Sequence, residues 1–402
     1  MGVSQELREL PKDYTQRPHE VYRQLREQGT VHHVRLPSGM VAWLITDYEL
    51  ARQALADDEL SKASDGFHEV LQKQENRTVG LLQDVSDHML NSDPPDHTRL
   101  RKLVNRAFTM RAVSRLEPRI EQITTELLDA MRDKDEVDLL DAFAFPLPIT
   151  VICELLGVPD GEQDRFREWS NIVVALATSS PEDVARVRAE LPAYLAELIA
   201  RKRADPGEDM LSELVTVAED GDRLSEPELI SMVFLLLIAG HETTVNLIGN
   251  GMLALLQNPD QLAALRADHG LLPNAVEEFL RYDGPVNITT LRYTTGPWTI
   301  DGFTIDKHEL ISIPLVDANA DPVKYPEPDS FDISRDASGH LAFGHGIHFC
   351  IGAPLARLEG RIAVRELITR FPDIALAGEP TTFGWRDSSL IHGLLKLPVK
   401  LR

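Results

Sequence analysis

The chain has 402 residues, of which 43% are hydrophobic and 26% are charged, as in a globular protein with a large core. Its formal net charge of −23 excludes a general affinity for nucleic acid or anionic lipid, because both are polyanions. The two cysteines, Cys153 and Cys350, lie too far apart in sequence to indicate a disulfide framework, which favours a reducing compartment.

The N-terminus carries charged residues where a signal peptide needs an apolar run. The longest apolar run, 232–240, is too short to span a bilayer. We therefore expect a cytoplasmic protein with no membrane partner.

The first hundred residues mix helix, strand and loop signals. A helix is predicted over 18–28, and two short apolar runs, 31–36 and 41–46, flank Pro37-Ser38-Gly39 as in a β-hairpin. Residues 61–95 have no sustained periodicity, which predicts a long, partly apolar loop.

Apolar residues at helical spacing dominate the middle of the chain and predict helices over 98–131, 147–157, 161–178, 181–204 and 209–218. The longest candidate helix, about 225–257, has Ser225 as its N-cap, Pro227 in its first turn and Pro259 after its end. A shorter helix is predicted over 274–282.

The last part of the chain begins with a strand-like zone, 286–316, and a proline-rich stretch, 322–328. A glycine-rich loop, a helix over 354–371 and a tail of strands and turns follow. Neither a linker nor a repeat divides the sequence. We therefore predict one domain, mainly α with a minor β part.

The loop 343–352 places Cys350 among apolar residues and glycines. Gly344, Gly346 and Gly352 allow backbone angles and close approaches that a side chain forbids. A thiol there can direct its sulfur at a metal while nearby N–H groups donate hydrogen bonds to it. Cys153, in contrast, is expected to be an ordinary buried helix residue.

The segment 239–244 lies midway along the longest predicted helix and combines Gly240, Glu242 and Thr243. A glycine, an acid and a hydroxyl inside an apolar helix all cost stability, which indicates a function. The threonine can bond the carbonyl four residues back and bend or open the helix. A core helix with one polar kink is the alternative.

Two other motifs fail. A His-Glu-x-x-His zinc motif beginning at His241 needs a second histidine at 245, which is Val245. A dinucleotide fingerprint beginning at Gly344 needs a third glycine at 349, which is Phe349.

The loop matches Phe-x-x-Gly-x-x-x-Cys-x-Gly, and the helix segment matches Ala-Gly-x-(Asp/Glu)-Thr. Both motifs resemble those of the cytochromes P450. The amino-acid sequences of segments 93–101 and 342–346 are similar to those of the soluble actinobacterial class of P450s. The resemblance implies the triangular, helix-rich P450 fold with small β-sheets as a single domain over 1–402. Its parts would be a β-richer region about 18–60, a helical core about 98–282, and the haem-thiolate loop with its following helix, 343–371.

The resemblance further implies haem b (protoporphyrin IX iron), with Cys350 as the metal ligand and Glu242 and Thr243 as catalytic residues that deliver protons. The other haem contacts it implies are His97, Arg101, Arg292, His348, Phe343, Gly240 and Gly352. A buried structural network would join Glu278, Arg281 and Arg335. By family analogy the substrate pocket would include Leu82, Leu90, Leu236, Ala239, Val286, Ile288 and Ile391.

The implied activity is a monooxygenase that inserts one oxygen atom from O2 into a C–H or C=C bond of a lipophilic molecule such as a macrolide, terpenoid, steroid or cyclic peptide. One cysteine outside the loop cannot hold an iron–sulfur cluster, so a separate ferredoxin and its reductase are expected as electron donors to a monomer. Their docking face would contain Arg99, Lys102, Arg106, Arg357, Arg361 and Arg365; an ordinary solvated surface is the alternative.

Two other functions stay open at this point. One is a haem-thiolate peroxygenase, coupling enzyme or isomerase, against which the Glu242-Thr243 pair argues. The other is a non-enzymatic haem sensor, for which we find no output domain in the sequence.

Overall fold

The computed structural model describes residues 4–72, 85–159, 161–174, 179–217 and 222–402, and these ranges contain fifteen α-helices and eleven β-strands. The helices are α1 (Pro18–Arg26), α2 (Tyr48–Ala56), α3 (Ser64–Gln72), α4 (Asp96–Ala107), α5 (Met110–Arg115), α6 (Glu117–Met131), α7 (Pro146–Leu155), α8 (Gln163–Val174), α9 (Pro181–Ala204), α10 (Met210–Thr216), α11 (Glu226–Gln257), α12 (Pro259–Ala267), α13 (Leu272–Asp283), α14 (Leu315–Ala318) and α15 (Ala353–Arg370).

The strands are β1 (Ser4–Glu9), β2 (Val31–Arg35), β3 (Val41–Ile45), β4 (Leu60–Ser61), β5 (Glu136–Asp138), β6 (Arg292–Thr294), β7 (Trp298–Ile300), β8 (Phe303–Ile305), β9 (Leu310–Ser312), β10 (Ala375–Leu376) and β11 (Pro398–Lys400). The prediction of a mainly α protein with a minor β part is confirmed.

Helix α11 is the central element of the helical part. It begins as predicted, with Pro227 in its first turn and a capping box in which the Glu228 carboxylate accepts the Ser225 N–H at 2.8 Å. It packs against α7, α9, α13 and α15. Among the described residues, only α11 is long and apolar enough to cross a membrane, and 78% of its most apolar window is buried inside the protein, as in a core helix.

The predicted β-hairpin is confirmed and forms part of a six-stranded sheet. β2 and β3 pair antiparallel, with Val31 opposite Ile45, and Gly39 in the turn has a φ of +86° that favours glycine. The strand order is β1-β2-β3-β9-β6-β4, so the hairpin lies beside strands from the second half of the chain. Two small sheets, β10-β11-β5 and β7-β8, complete the β part.

Three differences from the sequence predictions have local causes. Of the predicted loop 61–95, residues 73–84 lie outside the described residues, and the rest contains the end of β4 and the whole of α3. Ser61 pairs with Tyr293 of β6, a partner that the segment's own sequence does not show. The run 98–131 is divided among α4, α5 and α6; α4 ends at Ala107, and Thr109 caps α5 by accepting the Ala112 N–H. Pro259 does end α11, but it also begins α12 as a first-turn proline.

The predicted Glu278–Arg281–Arg335 network lies between α13 and the proline-rich stretch. The Arg281 guanidinium donates two hydrogen bonds of 2.7 Å to the Glu278 carboxylate, and neither side chain is exposed to solvent. Arg335 Nε lies 3.5 Å from Glu278 Oε1, and its other nitrogens donate to the carbonyls of Pro326 and Glu327. The network therefore ties α13 to the chain that leads into the Cys350 loop.

Replacing Glu278 by glutamine should destabilise the protein by about 3–5 kcal/mol, because Arg281 would keep its charge in the interior without a compensating carboxylate. Urea denaturation of the haem-loaded protein, followed by circular dichroism, measures this loss. The matched control is Glu20→Gln, which breaks a pair of the same spacing between exposed Arg17 and Glu20 and should leave the free energy of unfolding nearly unchanged. Equal losses in both variants would contradict the structural role of the network.

Candidate active site

Backbone hydrogen bonds and two left-handed glycines hold the Cys350 loop in place. The Cys350 N–H donates to the Phe343 carbonyl at 2.9 Å. Gly344 and Gly346 have φ of +72° and +75°, where L side chains are strained. A Cβ at Gly346 would also lie 2.9 Å from the Leu55 carbonyl oxygen, so the loop packs directly on the end of α2.

Solvent reaches the Cys350 side chain, yet many protein atoms surround it and partly desolvate the thiol, as expected for a group that lines a recess. This burial raises the pKa of the Cys350 thiol, whereas N–H groups of Gly352 and Ala353 and the charge of Arg101 act to lower it. The backbone donors predicted for the sulfur are therefore in place. A metal cation at the sulfur would shift the balance to the thiolate.

The predicted propionate ligands come together beside this loop. His97 and Arg101 lie one turn apart on α4, and the His97 ring contacts the His348 ring edge-to-face, with centroids 4.5 Å apart. Arg101 donates to the Phe349 carbonyl at 2.6 Å. Phe343 also lies in this region, with the Arg357 guanidinium 4.6 Å above its ring.

Lys62 belongs to the same group of cations and was missed by the sequence analysis. It follows β4 and is only 4% exposed, and its ammonium group donates to Thr290 Oγ1 at 2.7 Å. Burial and the neighbouring Arg292 hold the pKa of Lys62 well below its ordinary value, against the opposing effect of Asp93. Lys62 reaches this position only because β4 pairs with β6. In the sequence it is a lone lysine in an aperiodic segment, which gives no signal of a binding site.

The charges around His348 test whether these residues fit haem. Burial holds the pKa of His348 well below its ordinary value, and Lys62, His97, Arg292 and Arg101 lower it further. Both ring nitrogens of His97 are buried without a hydrogen-bond partner among the described residues. Two haem propionates would supply the missing negative charge and the missing acceptors, so the residues fit the group.

The predicted distal segment lies on one face of α11. Thr243 Oγ1 donates to the Ala239 carbonyl at 3.0 Å, and Ala239 is exposed although most of the surrounding helix is buried. The helix is continuous from Glu226 to Gln257, so the predicted local opening is not observed. A Cβ at Gly240 would lie 2.8 Å from Ile152 Cδ1 of α7, which gives this glycine a packing role; its predicted haem contact stays a prediction.

Glu242 is 1% exposed and forms an ion pair with an arginine that the sequence did not reveal. Its Oε1 lies 3.3 Å from Arg386 Nη1, and its Oε2 lies 3.7 Å from His241 Nε2. Arg386, whose side chain is 23% exposed, also donates to Asn171 Oδ1 at 3.3 Å. Glu242 is thus connected through Arg386 to the surface.

The residues predicted to line a substrate pocket come from several separate elements. Val286 and Ile391 face each other in an antiparallel bridge, and Leu236 and Ala239 lie on α11. Leu90 is half-buried, whereas Ile288 packs in the N-terminal core with residues of the hairpin. Leu82 lies outside the described residues, and the pocket assignments stay predictions.

Glu359 is a second buried carboxyl that the sequence analysis missed. It lies on α15 and is 1% exposed, and burial raises its pKa to about 8. The side chain therefore carries a proton at neutral pH. An acid within an arginine-rich helix gives no sequence signal of this state.

Lys62→Met should have opposite effects on the haem-free and haem-loaded protein. Without haem it removes one of several mutually repelling buried cations, so the free energy of unfolding should rise by about 1 kcal/mol or more. With haem it removes a charged donor, so haem should dissociate about tenfold faster. Denaturation of the haem-free protein and haem transfer to apomyoglobin measure the two effects.

The control for this pair of measurements is Lys307→Met, which removes a charge from an exposed position and should change neither quantity. If Lys62→Met destabilised the haem-free protein and left haem retention unchanged, the proposed role of the cation cluster would be wrong.

Comparisons with known proteins identify the family. A sequence model of the family described as Cytochrome P450 matches residues 5–377. Cytochrome P450 107B1 of Saccharopolyspora erythraea is 53% identical over 390 residues, which cover 96% of each chain. The 6-deoxyerythronolide B hydroxylase of the same organism is 44% identical over 385 residues, which cover 94% of this chain and 95% of that protein.

A solved structure, that of the tirandamycin C-bound P450 monooxygenase TamI, has a TM-score of 0.92 to this chain at 48% identity, and the match covers 98% of this chain and 100% of that one. The predicted P450 fold is therefore confirmed. The chain is a monooxygenase that belongs to the cytochrome P450 family, whose members carry haem.

Proposed function

We propose that this monooxygenase inserts one oxygen atom into a C–H or C=C bond of a medium to large lipophilic natural product. The relatives support this substrate class, since one is named as a hydroxylase of 6-deoxyerythronolide B and another was solved with tirandamycin C bound. Candidate substrates are macrolides, terpenoids, steroids and cyclic peptides. The exposed Ala239 and the apolar Val286–Ile391 pair are consistent with an apolar binding surface.

One observation carries the assignment of the site: the exposed Cys350 sulfur lies beside a cluster of buried cations that lacks enough negative charge. Haem, when bound, supplies the activation of O2. The chain supplies the sulfur ligand, and the N–H groups of Gly352 and Ala353 stabilise its thiolate form. His97, Arg101, Arg292 and Lys62 would hold the propionates.

Thr243 and Glu242 are proposed to handle protons. The Thr243 hydroxyl lies on the exposed face of α11, where it can hold a proton near the substrate. Glu242 is buried, but its ion pair with Arg386 links it to a side chain that reaches solvent. A Glu242 carboxyl that takes up a proton from water beside Arg386 and then turns toward Thr243 would carry protons inward, because the guanidinium itself does not release a proton.

The electron donors are proposed to be a separate ferredoxin and its reductase, acting on a cytoplasmic monomer. The predicted basic face is less positive than its sequence suggests. Four of its arginines form ion pairs with carboxylates: Arg99 with Glu228, Arg357 with Glu277, Arg361 with Glu117 and Arg365 with Glu121. A ferredoxin would therefore have to compete with these pairs for the arginines.

The ligand assignment is tested by the absorption spectrum of the reduced, carbon monoxide-saturated protein. Wild type should show the strongly red-shifted Soret band of a thiolate ligand, and Cys350→His should lose it because imidazole donates less electron density. Cys153→Ser is the control, since Cys153 is buried in α7 and should leave the band unchanged. A red-shifted band that persists in Cys350→His would refute the assignment.

Thr243→Ala tests the proton-handling role and separates it from peroxygenase, coupling or isomerase chemistry. With ferredoxin, reductase and a bound substrate, the variant should release more hydrogen peroxide per NADPH consumed and about tenfold less product. Thr243→Ser keeps the hydroxyl and should stay close to wild type. Unchanged coupling in Thr243→Ala would argue that the reaction does not need this hydroxyl.

A further inference from the structure

A group of three side chains that can ligate a metal lies away from the Cys350 loop. His19 on α1, Asp283 at the end of α13 and His392 in the C-terminal turn come from distant parts of the sequence. The two Nε2 atoms lie 2.8 and 2.9 Å from the same oxygen, Asp283 Oδ1. No other group of this kind occurs among the described residues.

Two of the three side chains are held firmly in place. The Asn250 amide of α11 donates to the carbonyls of both Asp283 and His392, at 3.0 and 3.1 Å. The His392 N–H donates to the Pro285 carbonyl at 2.9 Å. The Trp385 ring stacks on the His392 ring with centroids 4.1 Å apart. The backbone of Asp283 and the His392 imidazole are therefore preorganised.

The third side chain, His19, leaves the group open to solvent. Its side chain is 33% exposed, compared with 14% for Asp283 and 3% for His392. A tetrahedral zinc ion needs three protein ligands and one water in such a position. Ligand atoms at about 2.0–2.1 Å from zinc lie about 3.3 Å apart, so each imidazole nitrogen needs to move only about 0.5 Å from Asp283 Oδ1. The three ligand atoms already lie within 4.8 Å of one another.

We propose that His19 Nε2, Asp283 Oδ1 and His392 Nε2 bind one divalent transition-metal ion, with zinc as the probe. Two imidazoles and one carboxylate suit zinc, whereas calcium and magnesium prefer oxygen ligands alone. Without metal, the same atoms form the observed hydrogen bonds. With metal, the ion replaces those hydrogen bonds and joins α1 to the C-terminal turn.

The ion would also lie next to residues of the proposed substrate pocket. His392 follows Ile391, and Asp283 lies three residues before Val286. Val286 and Ile391 are partners in the antiparallel bridge. Metal binding would therefore fix this bridge against α1. This consequence rests on the proposed function, whereas metal binding itself does not.

Isothermal titration of tag-free, haem-loaded protein with zinc chloride tests the site. Wild type should bind one zinc ion per chain, and His19→Asn should weaken its binding at least tenfold because one of three ligands is lost. The control is His269→Asn, an exposed histidine far from the group in sequence, which should bind as wild type does. Zinc should also raise the thermal midpoint of wild type and His269→Asn but not that of His19→Asn.

The proposal is overturned if wild type binds no zinc, or if His19→Asn binds zinc as tightly as wild type. His392→Asn provides a second variant that should also lose zinc binding, and a haem spectrum like that of wild type would show that this variant is folded. Failure here would leave the carbon monoxide spectrum of the thiolate unchanged, so it can be distinguished from failure of the proposed function.

Discussion

The cations buried beside Cys350 are the constraint on which the functional part of the structure depends. Lys62 and Arg292 are each only 4% exposed, and the charges that act on His348 are all of one sign. A protein interior tolerates such a group only when an anion completes it. The sheet supplies two of the cations and α4 supplies Arg101, so the fold is arranged around a negatively charged ligand that belongs to neither element.

Helix α11 serves packing and chemistry on different faces, which explains its composition. A Cβ at Gly240 would clash with Ile152, and a Cβ at Gly251 would lie 2.8 Å from the Phe279 ring, so both glycines allow close approach of neighbouring helices. Ala239 and Thr243 occupy the exposed face one turn apart. The cost of glycine in a helix is therefore offset by packing, and only the hydroxyl and the acid require a functional explanation.

Features encoded by contiguous residues could be predicted from the sequence, and features made by distant residues could not. The cap at Ser225, the hairpin turn at Gly39 and the motif around Cys350 each lie within a few neighbouring positions. Lys62 and Arg386 enter the site through sheet pairing and a C-terminal turn, and neither has a local pattern. Family resemblance predicted a common role for His97 and Arg292, which both act on His348 in the structure, because it carries long-range information that periodicity lacks. Their haem contacts stay predictions.

The interior also shows two ways to bury a carboxyl group. Glu278 is paired with Arg281, which donates two hydrogen bonds to it, and the pair joins α13 to the loop that leads to Cys350. No ion pair to Glu359 occurs among the described residues, and burial raises the pKa of Glu359 to about 8, so the group is neutral instead. The first arrangement fixes a position because its geometry is directional, whereas the second avoids a charge. A rigid Cys350 loop therefore depends on the Glu278–Arg281 pair. A buried carboxylate is stable in this interior only where an arginine lies beside it.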